Sequence, residues 1–249
     1  ALEAASEILT RYTPGEVEHE DKGGGDPVTE ADHAVDAALK ELLPTGDDGW
    51  LSEETADDPI RLERRRVWVV DPLDGTREFV QGIPEWCCSV GLVEDGQAVA
   101  GGICNPATGE TIVGAVGVGV TYNGEAAAVS TRSSLNGAVV LGSRSEVKRG
   151  EWDRFEDAPF TMTPMGSVAY KLGLVAAGRA DITWTLVPKH EWDIAAGVAL
   201  VHAGGGKTYT LDGKTPVFNR PKPKVSGLVA VPPSLERAVQ DQIAFALTV

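Results

Sequence analysis

The sequence predicts an α/β fold, one unit of two lobes meeting near residue 130, and three observations predict it. The run "VWVV" at 67 to 70 is apolar throughout and mostly β-branched, which reads as a strand buried on both faces. Residues 86 to 122 hold strand-like runs punctuated by "EDGQ" and "NPATGE", turn chemistry that predicts an antiparallel meander. Beyond residue 130, helix-period and strand-period segments alternate, with no linker-like tract, low-complexity tract or internal repeat.

Taken in order, residues 2 to 12 read as a helix, and "DKGGGDPV" at 21 to 28 is a glycine-rich break. From Thr29 a helical stripe of Ala31, Val35, Ala38, Leu39 and Leu42 runs to Pro44, which closes it. "WLSEE" leads through a charged loop to the buried strand, and "TREFVQ" at 76 to 81 opens a short helix. In the second half "AVVLGS" is a strand, residues 149 to 156 a short helix, and "SVAYKLGLVAAG" a helix ended by Gly178. "ADITWTL" is a strand, "EWDIAAGVALVHAGGG" a helix with a glycine stop, and "LDGK" a turn. The strand "SGLVAV" and a helix through "LERAVQDQIAFAL" finish the chain.

Composition narrows the function. The 249 residues carry 42% hydrophobic and 24% charged side chains, ordinary for a globular protein. Lys and Arg number 22 against 37 Asp and Glu, a net charge of −15. That balance disfavours counterion-driven binding to nucleic acid polymers or to anionic membranes, and it suits either a saline cytoplasm or plain solubility. Cys87, Cys88 and Cys104 are odd in number, and the adjacent pair sits in a strand pattern that sends its side chains to opposite faces, so all three read as reduced packing residues. No apolar run approaches the ~20 residues of a membrane span, and no signal peptide opens the chain. A cytoplasmic protein is expected.

Four acidic clusters sit at chain breaks: "DPVTEAD" (26 to 32), "SEE" (52 to 54), "DPLDGT" (71 to 76) and "EWD" (191 to 193). Each has a purely structural reading. Thr29 with Asp32 is a capping box, Glu53 and Glu54 could lie in a solvated loop, Asp71 and Asp74 could shape a proline turn, and Asp193 complements a helix dipole. Carboxylates at the end of a buried strand nevertheless need counter-charge. A hard divalent cation such as Mg²⁺ takes oxygen ligands and would supply it. Gly75 frees the backbone for a phosphate, and the N–H groups of Gly75 and Thr76 open a helix whose positive end favours an anion.

In order and wording, these clusters resemble the Mg²⁺-dependent, lithium-sensitive phosphatases of the inositol monophosphatase superfamily, which includes fructose-1,6-bisphosphatases and 3′(2′),5′-bisphosphate nucleotidases. "DPLDGT" followed by "WDIAAG" carries the resemblance, which covers almost the whole chain, while "SEE" replaces the commoner "GEE". It implies an α/β (α+β) fold of the sugar-phosphatase type, an αβαβα layered sandwich. It also implies a single catalytic domain over 1–249, with an N-terminal lobe of about 1–130 and a C-terminal lobe of about 131–249. By resemblance, Glu53 and Asp71 hold a first Mg²⁺ with the carbonyl of Leu73, and Asp71, Asp74 and Asp193 hold a second. Mn²⁺ is an alternative ion. Glu53 also touches a weaker third metal, whose water is a candidate nucleophile, and Asp32 with Thr76 forms the water-activating pair. Asp74, Gly75, Thr76, Ser167, Lys171 and Asp193 form the substrate's side of the site. The family's members are often dimeric.

Within the superfamily, "DGTREF" and "GSVAYK" resemble the bisphosphate nucleotidases, where the Ser and Lys corresponding to Ser167 and Lys171 approach the nucleotide. Inositol enzymes place a sugar-binding Glu seven residues before the last Asp ligand, and here Leu186 stands there. The resemblance therefore implies hydrolysis of 3′-phosphoadenosine 5′-phosphate to AMP and phosphate, by in-line attack of a metal-activated water. The alternatives are an inositol, histidinol or other sugar phosphate, and an inactive metal-binding regulatory protein.

Overall fold

The computed structural model describes residues 1–21 and 27–247, so most of the glycine-rich break lies outside the described residues. The first half of the chain runs α1 (Leu2–Leu9), β1 (His19–Asp21), β2 (Pro27–Thr29), α2 (Glu30–Leu42), β3 (Gly49–Ser52), β4 (Arg66–Asp74) and α3 (Thr76–Val80). The meander follows as β5 (Cys87–Glu94), β6 (Gln97–Asn105), β7 (Glu110–Ala115), β8 (Gly119–Tyr122) and β9 (Glu125–Ala127). The second half begins with β10 (Val139–Ser143), α4 (Arg144–Lys148), β11 (Thr161–Met165), α5 (Val168–Ala176) and β12 (Ile182–Thr185). It closes with β13 (Lys189–His190), α6 (Glu191–Ala203), β14 (Lys207–Tyr209), β15 (Lys224–Val225), β16 (Leu228–Val231) and α7 (Glu236–Ala246).

Strands β3 to β9 form one seven-stranded sheet in sequence order, in which β3 and β4 are parallel and every later pair antiparallel. A second sheet has the order β11-β10-β12-β16-β14. Helices α1 and α2 cover one face of the large sheet, burying Ala5, Leu9, Val35 and Leu39 against Val70 and Cys88. Helices α5 and α6 fill the space between the sheets, and α7 with Trp152 and Phe155 covers the far face of the small one. The result is a layered α/β/α/β/α arrangement. Its central helix α6 is apolar on every side because it has no solvent face: Ile194 to Val201 are all buried. That helix lies unusually close to the sheet, since a Cβ on Gly101 would stand 2.4 Å from the carbonyl oxygen of Ala196. Cys87 and Cys88 do face opposite layers, the first toward α5 and α6, the second toward α1 and α2.

The short strands β1, β2, β13, β14 and β15 were not expected, and two further features depart from the sequence expectation. The short helix expected at 149–156 lies earlier, at Arg144–Lys148, followed by a single 3-10 turn at Asp153–Phe155. Ser143 starts it by accepting the Glu146 N–H at 3.4 Å, and Gly150, with φ of +76°, interrupts the expected span. Strand β11 was not expected because Pro164 interrupts it. Proline lacks an N–H, yet β11 is a sheet edge, where one side of the ladder needs no donor.

Candidate metal and phosphate site

Strands β3 and β4 are parallel, with Ser52 opposite Val70, so both leave the sheet at the same end. Glu53 follows β3, and its N–H donates to the carbonyl of Val70 at 3.3 Å. Asp71 is opposite Ser89 and Asp74 opposite Cys87, so β4 bulges at Pro72 and Leu73. The Leu73 N–H donates to Asp71 Oδ1 at 3.0 Å and fixes this bend. Asp193 stands in the first turn of α6, where its Oδ2 accepts the His190 N–H at 3.0 Å. Carboxylate oxygens of Glu53, Asp71 and Asp193 thus come within 4.8 Å of one another.

Such a cluster is electrostatically costly by itself. Asp71 is 2% exposed, and burial, followed by the charges of Glu53, Asp74, Asp193 and Asp32, holds its pKa well above the carboxylate range. Burial and then Asp74 push Asp193 up to about 8, against the opposing influence of Lys189. Three hard oxygen donors that repel one another in a partly buried site fit a divalent cation of the Mg²⁺ type. Among the described residues no other group of His, Cys, Asp and Glu converges this way.

Asp74 is placed differently. Its Oδ2 accepts both the Ser167 hydroxyl at 2.7 Å and the Ala169 N–H at 2.6 Å, so it holds the start of α5. Both bonds fall on one oxygen of the carboxylate. Lys171, expected to reach substrate, is 2% exposed, and its ammonium donates to the carbonyls of Met165, Gly166 and Ser167 at 3.1, 3.1 and 2.9 Å. An ammonium has three N–H donors, and here all three are engaged on backbone. Burial and the neighbouring Lys189 lower its pKa to about 8. The side chain therefore shapes the 165–167 turn, where Ser167 has φ of +47°.

Asp32 serves two partners at once. Its Oδ2 accepts the Thr29 N–H at 2.8 Å and the Thr29 hydroxyl at 2.7 Å, completing the capping box of α2, while Oδ1 lies 3.3 Å from Thr76 Oγ1. The Thr76 hydroxyl also lies 2.9 Å from the Leu73 carbonyl, and one hydroxyl proton serves one of these acceptors at a time. Gly75 has φ of +98°, and a Cβ there would stand 2.8 Å from the Glu85 carbonyl oxygen. Its glycine is thus demanded by the backbone of Glu85 and Trp86 as well as by the turn. Helix α3 is only five residues long, so the anion-binding end expected there is reduced to individual N–H groups.

Glu53, Asp71, Leu73, Asp74, Gly75, Thr76, Ser167, Lys171 and Asp193 all line one cleft of about 270 Å³, with the Asp32 carboxylate reaching it through Thr76. The sequence reading missed Ser143, Arg144 and Ser145 on the same wall. Arg144 is held by a bidentate pairing with Glu85, which also accepts the Gly166 N–H at 2.7 Å. The capping pattern Ser143 to Glu146 was the available signal for that segment. Leu186 does not line this cleft; it borders a separate hollow with Pro188 and Leu211.

A layered α/β fold whose parallel strand ends and central helix gather acidic side chains into one cleft is the construction of a metal-dependent hydrolase of small phosphate esters. The chain belongs to the inositol monophosphatase family, whose model matches residues 1–245, and whose members are metal-dependent phosphomonoesterases. It is 36% identical over 162 residues to the fructose-1,6-bisphosphatase/inositol-1-monophosphatase of Thermotoga maritima, a match spanning 64% of this chain and 62% of that protein. It is 33% identical over 223 residues to inositol monophosphatase 2 of Solanum lycopersicum, spanning 83% of each. A solved Thermotoga maritima IMPase superposes with a TM-score of 0.83 at 28% identity, covering 99% of this chain and 95% of that one. No helix among the described residues is long and apolar enough to cross a membrane.

Proposed function

We propose that the chain is a Mg²⁺-dependent phosphomonoesterase, one catalytic unit of two lobes, that prefers a substrate with a second phosphate, such as 3′-phosphoadenosine 5′-phosphate. The observation that carries this reading is the mixed lining of the cleft, where the converging carboxylates of Glu53, Asp71 and Asp193 share the wall with the cationic side chains of Arg77, Arg144 and Lys189. Glu53, Asp71 and Asp193, with Asp74 and the Leu73 carbonyl, would hold the metal. When bound, such a cation supplies Lewis-acid polarisation of the phosphoryl group.

The chain's own groups do the rest. The Thr76 hydroxyl takes a proton from the attacking water as it passes its own to Asp32 Oδ1, leaving Asp32 Oδ2 on its cap. Ser167 and the start of α5 hold Asp74 in place, and Lys171 fixes the turn that carries Ser167. A second phosphate meets Lys189 and Arg144 in place of Lys171.

An inositol or other sugar phosphate is the second reading, favoured by the names of the relatives above. Leu186 weighs against it, because it offers no acceptor to a sugar hydroxyl and lies outside the cleft. Phosphate release from a panel of esters in Mg²⁺ tests both. The expected result is a higher kcat/KM for the bisphosphate nucleotide than for inositol 1-phosphate or histidinol phosphate. Preference for inositol 1-phosphate would overturn the substrate and leave the phosphatase. Failure to turn over any ester would favour an inactive metal-binding protein.

A further inference from the structure

Two of the clustered carboxylates come from the ends of separate elements, β3 and α6. Strand β3, which delivers Glu53, is only four residues long and lies at the edge of its sheet, paired with β4 alone. Such edges open readily. Helix α6, which delivers Asp193, begins at Glu191, and Asp193 closes its first turn by accepting the His190 N–H. A polar chain anchored on the buried Arg61 and Glu191 joins these two elements away from the cleft.

Arg61 stands in the 3-10 turn Pro59–Glu63 and is 1% exposed. A Cβ on Gly49, the first residue of β3, would stand 3.1 Å from Arg61 Cβ, so the arginine stem packs directly on the start of that strand. Its guanidinium grips Asp57 through Nε and Nη2 at 2.6 and 2.9 Å, and donates to Asn219 Oδ1 at 2.8 Å and to the Arg220 carbonyl at 3.0 Å. Asn219 returns the contact, its side-chain amide donating to the Arg61 carbonyl at 3.0 Å. The N–H groups of Asn219 and Arg220 then donate to the two carboxylate oxygens of Glu191 at 2.7 and 3.1 Å. Glu191 is fully buried, and its own N–H donates to the Pro223 carbonyl at 3.0 Å. Arg61 and Asn219 are 158 residues apart in the chain, so only the folded state assembles this path.

We propose that Arg61, Asn219 and Glu191 are positioning residues whose hydrogen-bonded chain fixes the spacing of the Glu53 and Asp193 carboxylates and thereby sets the affinity of the cluster for a divalent cation. This rests on the metal-site reading above. The geometry suits the role because the path starts at the first residue of β3, four positions before Glu53, and ends two positions before Asp193. Oxygen ligands for a small hard cation must be held to within tenths of an ångström. A loose β3 edge or a shifted α6 start would separate them without unfolding either lobe.

The test is Mg²⁺ binding by calorimetry to the whole chain at 25 °C, with no substrate present, for wild type, Asn219→Gly, Arg61→Lys and Glu191→Gln. Asn219→Gly is the mildest, because glycine adopts the φ of +57° at that position while losing the amide link. Each variant is expected to bind Mg²⁺ about tenfold more weakly, the low end for outer partners of metal ligands. In turnover assays the Mg²⁺ concentration for half-maximal rate should rise by the same factor, with kcat at saturating Mg²⁺ close to wild type. A merely structural role would lower the unfolding temperature in chelator and leave the dissociation constant of the folded variants unchanged, which would overturn the proposal. If Arg61→Lys does not fold, Asn219→Gly decides. A wild-type chain that takes up no Mg²⁺ would overturn the metal-site reading itself, and this proposal with it.

Discussion

Thr76 Oγ1 lies 3.3 Å from Asp32 Oδ1, while the other oxygen of the same carboxylate caps α2 through Thr29. On the proposed mechanism one side chain carries both a fold contact and a chemical one, and mutation can separate them. Thr76→Ala is expected to lower kcat by about 10²- to 10⁴-fold with little change in KM or in unfolding temperature. Asp32→Asn should lose turnover and also about 1 kcal/mol of stability from the cap. Wild-type kcat in Thr76→Ala at saturating Mg²⁺ would refute the relay.

The carboxylate cluster predicts an exchange between stability and metal binding. Asp193→Asn removes one of three mutually repelling groups, so the chelated variant should melt higher than chelated wild type, by about 2–4 °C for each kcal/mol of relieved repulsion. Wild type should gain about 2.7 kcal/mol at Mg²⁺ a hundredfold above its dissociation constant, a gain the variant loses. Thermal melts with EDTA and with Mg²⁺ read both effects. An unchanged Mg²⁺ response in Asp193→Asn would remove it from the ligand set.

Lys171 and Lys189 line the same cleft but predict opposite substrate behaviour. Lys171→Ala strips three buried carbonyls of their donor, so it should destabilise the chain, each unsatisfied group costing about 1–3 kcal/mol. Its residual activity should fall alike for nucleotide and inositol substrates. Lys189→Gln should lower kcat/KM for 3′-phosphoadenosine 5′-phosphate by roughly ten- to a hundredfold, the worth of a charge-assisted contact of about 1.5–3 kcal/mol, and spare inositol 1-phosphate. Selective loss in Lys171→Ala instead would return the second phosphate to Lys171.

His202, in the last turn of α6, has its Nε2 2.8 Å from Thr208 Oγ1, and burial lowers its pKa below 6.5. The folded state then binds fewer protons than the unfolded one just below that value. Its contribution is complete above pH 6.5 and is lost as pH falls through the lowered folded value. His202→Gln should flatten the wild-type fall in unfolding temperature as pH drops below about 6.5. Parallel profiles for the two proteins would show that His202 does not titrate on unfolding.

What the sequence made legible was whatever its local pattern dictates. Val67 to Val70 read as a buried strand because apolar β-branched runs have few other uses, and Asp71 and Asp74 read as chemistry because burial makes bare carboxylates expensive. Thr29 and Asp32 could be assigned to a cap because both partners lie within one turn. The failures are non-local. Lys171 looked like a free cation on a helix until the turn at 165–167 folded its carbonyls onto it. Arg144 and Glu85 are 59 residues apart, and no spacing rule pairs them. Strand β11 was hidden by Pro164, whose tolerance depends on being at an edge that only the assembled sheet defines.

The contact between α6 and Gly101 makes the large sheet a ruler. Ala196 is three residues, about 4.5 Å of rise, beyond Asp193, and it rests on strand backbone with no side chain between. Asp193's height above the carboxylates of β4 is thus gauged by main chain against main chain, which neither compresses nor changes rotamer. Side chains elsewhere in the central layer are free to drift in size over evolutionary time, repacking around a fixed datum, without retuning the cleft.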